Sequence, residues 1–217
     1  MLRSSICLAV ESTRIFHGND MRELLIATRN EGKLNELRIL MENAPFKVVG
    51  LTDVGIGKEA EETALTFEGN AIIKAMTYGK WAGILTISDD SGLEIDALGG
   101  RPGVYTKQYE KENADHGFSK IFSELKDVPD EKRGAQFHCV IALYDPATDR
   151  VYTCEGIARG KITHEPRGAN NFGQDPIFLY DESGKTGGEM TVEEKNVISH
   201  RAIALKKARE ILLKEFV

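Results

Sequence analysis

The chain has 217 residues, a formal net charge of −6 at neutral pH, 41% hydrophobic residues and 29% charged residues. That length buries a proper core as one domain, or one domain with two lobes, and the proportions are those of an ordinary globular protein. The acidic balance argues against broad nucleic-acid binding, which needs Lys and Arg to displace phosphate counterions, but it leaves a local basic pocket for a small anion open.

Residues 1–20 are read as an extension, either an upstream-start artefact or a tail, and stay outside the fold reading. The run "ICLAV" is too short for a membrane span and no signal-peptide cleavage pattern follows it, so no membrane partner is expected. Cys7, Cys139 and Cys154 are an odd set without metal-ligand spacing, which points to a reducing compartment, the cytoplasm, with Cys139 and Cys154 as core thiols. "ELLIAT" (23–28) reads as a short buried strand. "NEGKLNELRILMENA" follows with helical spacing at Leu34, Leu37 and Leu40 and Asn30 as its N-cap, and Pro45 ends it. "FKVVGL" is a second strand. A helix then starts near Thr66, with Phe67, Ile73 and Met76 on its inner face.

"ILTIS" and "LEIDAL" read as two further strands separated by a turn at "SDDSG" (88–92), and "GGRPG" is a loop. A helix follows around "ADHGFSKIFSELKD". "AQFHCVIALYD" and "RVYTCEGIARG" form a long antiparallel hairpin, and "IFLY" is a short strand. Thr191 with Glu194 makes a capping box, and Ser199 caps a last helix with Leu205, Ala208 and Leu212 in its stripe. "KKAR" (206–209), the densest basic run, is read as a solvated face of that helix. Early strand–helix alternation, then a hairpin and terminal helices, predicts an α/β fold with a mixed sheet in one domain over 21–217.

Three places carry chemistry. "TRNEGK", Thr28 to Lys33, joins a strand to a helix N-terminus, whose free N–H groups and positive dipole end favour anions; Gly32 permits close approach and Lys33 adds charge. The spacing is not that of a Walker A loop, and a capped helix with one surface lysine is the plain alternative. Asp89 and Asp90 stand side by side at the end of an apolar run, where like charges repel unless a cation lies between them. Glu59, Glu61 and Glu62 offer further oxygens, and so few carboxylates suit Mg²⁺ with waters and phosphate oxygens better than a calcium cage. Lys74 either snorkels or balances the carboxylates. Lys195, His200 and Arg201 gather near the start of the last helix, with Arg suited to forked phosphate contacts and His200 alternatively a surface or capping group. His17, His116, His138 and His164 show no ligand spacing.

In order along the chain, "ATRNEGKLNEL", "AEETALTFEGNAIIKA", "ISDDSGLEIDALGGRPGVY", "FGQDPIF" and "EEKNVISHRAIAL" resemble the inosine triphosphate pyrophosphatase family, in its bacterial and archaeal XTP/dITP branch. The resemblance runs from about Met21 to the end. It implies an elongated mixed sheet with flanking helices, two lobes around a nucleotide cleft, a homodimer, and Mg²⁺-dependent hydrolysis of non-canonical purine nucleoside triphosphates to monophosphate and pyrophosphate. By matching blocks, Thr28, Arg29, Asn30, Glu31, Gly32 and Lys33 would hold the triphosphate. Asp90, with Glu61 or Glu62, would bind metal, and Asp90 would act as base beside Asp89. Ser91 would contact substrate, Phe172, Gly173, Gln174, Asp175, His200 and Arg201 would surround the base, and Lys195 would sit nearby. The family usually has Gly at Arg29 and an aromatic residue at Gln174. Arg29 is thus expected to crowd the phosphate loop or add charge to it, and Gln174 to alter stacking around the base.

The reaction so implied is in-line attack of water on the α-phosphorus. A metal shared by the aspartates would relieve their repulsion, and Lys33, Lys74 and Arg201 would neutralise the leaving pyrophosphate. Backbone N–H groups of "NNFGQD" and His200 would donate to the purine 6-carbonyl, which adenine lacks. Two other readings compete: a Maf-type nucleotide pyrophosphatase, whose Ser-Pro-Arg-Arg signature is missing, and a catalytically silent nucleotide-binding regulator.

Overall fold

A computed structural model describes residues 21–112, 115–170 and 172–217. The reading of residues 1–20 as an extension therefore lies outside the described residues, as do Cys7, His17 and Asn171.

Strand β1 (Arg22–Ile26) leads through Asn30 into α1 (Glu31–Leu40), and β2 (Phe46–Gly50) returns parallel to β1. Asn30 caps α1 as expected, its side chain accepting from the Lys33 N–H at 3.1 Å. Helix α2 (Phe67–Ala82) is capped by Thr66 and ends at Gly83, which takes the left-handed conformation of a helix C-terminus. Strands β3 (Leu85–Ile95), β4 (Gly134–Asp145) and β5 (Arg150–Ile162) are long, and β6 (Phe178–Tyr180) is short. The sheet order is β2-β1-β3-β4-β5-β6, with β1 parallel to both neighbours and every other pair antiparallel. The expected mixed α/β sheet and the long hairpin are both present.

Two expectations change. "ILTIS" and "LEIDAL" are not two strands around a turn: β3 runs unbroken through Asp89 and Asp90, paired to β4 from Thr86 to Ile95. Its side chains alternate between faces, as strand geometry requires. Ile87, Asp89 and Ser91 face α1 and the last helix, while Ser88, Asp90 and Gly92 face α2. Each charge finds its partner on its own face, so no turn is needed to carry the pair to solvent. Second, of the residues expected on the inner face of α2, Phe67 is buried and Met76 packs partly buried against the same cluster, but Ile73 is replaced there by Ala71 and Ala75. Small residues let this helix lie close to the strands: a Cβ on Gly79 would come within 2.5 Å of the Tyr144 ring.

Helix α3 (Thr106–Glu112), absent from the sequence reading, precedes α4 (Phe118–Glu124). Helix α5 (Val192–Ile198) carries the expected Thr191–Glu194 capping box, and Ser199 caps α6 (His200–Glu215). Leu205, Ala208 and Leu212 are buried, and Lys206 and Lys207 are exposed, as the stripe predicted.

One buried cluster lies between the β1–β3–β4 face, α1 and α6, including Leu34, Leu37, Ile87, Ile141 and Leu205. A second gathers at the far end of the long strands from Leu93, Ile95, Phe137, Ile177 and Phe178, with α4 contributing Phe118 and Ile121. β1 pairs with β3 only as far as Ile87, so from Ser88 onward that edge of β3 has no strand beside it. The gap between the clusters opens there.

Gly156 on β5 sets how closely α6 approaches. A Cβ there would lie 2.1 Å from the His200 carbonyl oxygen and 2.5 Å from the Ala204 nitrogen. Gly156→Ala is expected to cost about 3 kcal/mol, the scale of a severe core overpacking, measurable by urea unfolding.

Candidate active site

The opening beside β3 is a cleft of about 740 Å³. Thr28, Arg29, Asn30 and Lys33 line it from α1 and the turn before it, and Lys74 lines it from α2. Asp89, Asp90 and Ser91 come from β3, Phe172 to Asp175 from the loop before β6, and Lys195, His200 and Arg201 from α5 and α6. These are nearly all the residues singled out in the sequence. Glu31, Gly32 and Glu61 do not line it. Gly32 serves indirectly: a Cβ there would sit 2.3 Å from the Phe172 ring, so glycine lets the aromatic loop close on α1.

Asp89 is 1% exposed at its side chain and lies 2.9 Å from Lys33 Nζ and 3.3 Å from Arg201 Nε. Burial works to raise its pKa, but Lys33, Arg201 and Lys74 outweigh burial and hold the carboxyl far below the usual range. Ser91 donates to its Oδ2 at 3.3 Å while accepting from Arg201 Nη2 at 3.1 Å. Arg201 also pairs with Glu36, which in turn meets Lys195 at 3.2 Å, and Lys195 reaches Asp175 at 2.6 Å. Asp175, 2% exposed, is thus held in an ion-pair chain at the back of the cleft.

Asp90 lies on the other face. Lys74 donates to its Oδ1 at 3.1 Å and Asn70 to its Oδ2 at 3.2 Å. Burial raises the pKa of Asp90, and Lys74 and Lys33 offset this only in part. The Lys74 ammonium also sits 2.8 Å from Glu62, so two carboxylates from distant segments converge on one positive charge. Burial disfavours that ammonium, but Asp90, Asp89 and Glu62 outweigh it and raise its pKa. Each aspartate therefore meets a lysine on its own face of β3.

Among the described residues no three His, Cys, Asp or Glu side chains form a ready metal cage. Glu62 and Asp90 nevertheless fit a magnesium ion, which takes one or two carboxylates and completes its shell with water and phosphate oxygens. The Lys74 ammonium lies between these two carboxylates.

At the other end, His200 is buried and stacked on Phe137, centroids 4.7 Å apart and rings 19° from parallel. Burial, with Arg201 and Lys195, pushes its pKa well below 6.5, so the ring is neutral at pH 7. Among the described residues its Nδ1 has no hydrogen-bond partner. Gln174 is 2% exposed and donates to the His116 carbonyl at 3.2 Å. Sequence reasoning missed Glu36 and Asn70. Each lies on the same helix face as a lysine it singled out, Glu36 three residues after Lys33 and Asn70 four before Lys74.

A sequence model described as the Ham1 family matches residues 24–211. The chain belongs to the Ham1 family. A dITP/XTP pyrophosphatase of Bacillus licheniformis is 46% identical over 194 residues, covering 88% of this chain and 98% of that protein. The dITP/XTP pyrophosphatase of Escherichia coli is 45% identical over 189 residues, covering 86% and 95%. Among solved structures, a HAM1 protein from Coxiella burnetii is similar with a TM-score of 0.81 and 39% identity, over 89% of this chain and all of that one. The Bacillus and Escherichia relatives carry the name that the ordered sequence blocks led one to expect. No described helix of this Ham1-family chain is long and apolar enough to cross a membrane.

The buried neutral His200 makes a pH prediction. Its folded-state pKa lies below the unfolded value of about 6.5, so the unfolded chain takes up the proton first. Stability is full above that value and is lost as pH falls below it. His200→Phe keeps a ring for Phe137 without the proton site, and its melting temperature should fall less between about pH 7.5 and 5.5 than wild type's. Equal losses would refute a neutral buried imidazole.

Proposed function

We propose that this chain is a nucleoside triphosphate pyrophosphohydrolase that removes non-canonical purine nucleotides, ITP, dITP and XTP, by hydrolysing them to monophosphate and pyrophosphate. The observation that carries the reading is a cleft where two carboxylates, on opposite faces of β3, each stand beside their own lysine at the mouth of the α1 N-terminus. The naming of the relatives as dITP/XTP pyrophosphatases supports the same reading.

The triphosphate lies along Thr28, Asn30 and Lys33, where helix N–H groups and an ammonium meet anionic oxygens. Asp90 and Glu62 would hold Mg²⁺, which would supply charge neutralisation on the phosphates and a lowered pKa for nearby water. Asp90 is the base that takes the proton of the attacking water. Its side chain is 13% exposed, against 1% for Asp89, so it is the carboxylate that water reaches. Asn70 and Lys74 keep its two oxygens oriented. Asp89 holds Lys33 and Arg201 in place, and those cations, with Lys74, stabilise the departing pyrophosphate.

The base enters between Phe172, Gly173 and His200. In the tautomer that carries its proton on Nδ1, the neutral His200 ring donates to a 6-carbonyl. An adenine amino group would leave it unsatisfied, at about 1–3 kcal/mol. The protein works in the cytoplasm as a homodimer, with residues 21–217 as a single domain of two lobes.

Pyrophosphate release from ITP with Mg²⁺ tests this reading. Wild type should cleave ITP roughly tenfold or more faster than ATP, as one lost buried hydrogen bond implies. Asp90→Asn and Glu62→Gln should lose about a hundredfold or more in kcat, and Glu61→Gln should lose little. Near-normal turnover by the Asp90 variant, or equal rates on ITP and ATP, would contradict it.

A further inference from the structure

From Ile56 to Ala64 the chain has neither helix nor strand, yet it carries Glu62 to its place beside Asp90. One face of α2 holds it at alternate residues. Lys58 places its ammonium 3.8 Å from the Trp81 ring centroid, and the Ala60 N–H donates to Tyr78 Oη at 3.1 Å. Glu62 meets Lys74, and the Ala64 N–H donates to Asn70 Oδ1 at 2.9 Å. Residues 58, 60, 62 and 64 thus read antiparallel along positions 81, 78, 74 and 70, a strand-like period of two laid on a helical stripe.

A further pin comes from outside α2. Arg29 Nη2 donates to the carbonyls of Ile56 and Lys58, each at 3.0 Å, and its Nε lies 3.6 Å from Glu59. Both hydrogens of that nitrogen are spent on the acidic segment. The guanidinium is thereby directed toward the acidic segment. It ties that turn, between Thr28 and Asn30, to the segment bearing Glu62.

We propose that Arg29 is a positioning residue: it clamps the 56–64 segment to the N-terminal turn of α1 and thereby sets Glu62 opposite Asp90. A neutral, small residue at this position would leave α2 to hold the segment alone. The inference rests on the proposed function for its kinetic consequence, but its structural part does not.

The test compares wild type, Arg29→Ala and Arg29→Lys by amide exchange without metal or nucleotide, and by ITP kinetics across a Mg²⁺ titration. In Arg29→Ala, the Ala60 and Ala64 amides should exchange roughly tenfold faster, because their acceptors on α2 no longer hold a docked segment. The same variant should lose about tenfold in kcat and need more Mg²⁺ for half-maximal rate, with KM for ITP nearly unchanged. Arg29→Lys, which still offers two N–H donors to the carbonyls, should recover most of both. Unchanged exchange in Arg29→Ala, with KM raised and kcat intact, would overturn the proposal and make Arg29 a direct substrate contact. If wild type fails to cleave ITP, the proposed function falls while the exchange comparison still decides the clamp.

Discussion

Everything in the cleft depends on a strand's two-residue period. Because β3 stays extended through Asp89 and Asp90, neighbours in sequence become strangers in space, one facing α1 and α6 and the other facing α2. Buried carboxylates are tolerable only when paired and hydrogen-bonded. Here each meets its own basic partner, and the division of labour follows: Asp89 is sealed within a network of cations, and Asp90 remains open to water and a cation.

The same alternation explains why the site needs the whole chain. Lys33 arrives from the first helix, Lys74 from the second and Arg201 from the last, and β1 stops short so that β3 has a free edge where they meet. Glu36 links the first helix to the last two through Arg201 and Lys195. Removing one member of such a chain leaves another charge buried without a partner, which costs more than the lost contact itself. The close seat of α6 on β5 at Gly156 is part of this arrangement, since α6 brings both His200 and Arg201.

Local signals were readable in the sequence, and long-range ones were not. Asn30, Thr66, Thr191 and Ser199 cap their helices because capping is decided within a few residues. The long hairpin showed itself by its two runs of strand-forming residues, and most cleft residues showed through the ordered blocks of the family resemblance. The continuity of β3 was hidden because the partners that make "SDDSG" acceptable inside a strand lie far away in sequence. A local rule sees only adjacent charges and predicts a turn. The inner face of α2 was read in part: Phe67 is buried and Met76 packs against the same cluster, but Ile73 gives way to Ala71 and Ala75, because close helix–sheet packing favours small side chains there. Asn70 and Tyr78 were missed because their partners lie on an irregular segment with no periodicity to read.

The most direct measurement is a crystal structure with a non-hydrolysable ITP analogue and Mn²⁺, the ion located by its anomalous signal. The expected result is a metal on the α2 side of β3, bound by Asp90 and Glu62, with Asp89 still paired to Lys33 and Arg201. A metal bridging Asp89 and Asp90, with those basic partners released, would contradict it.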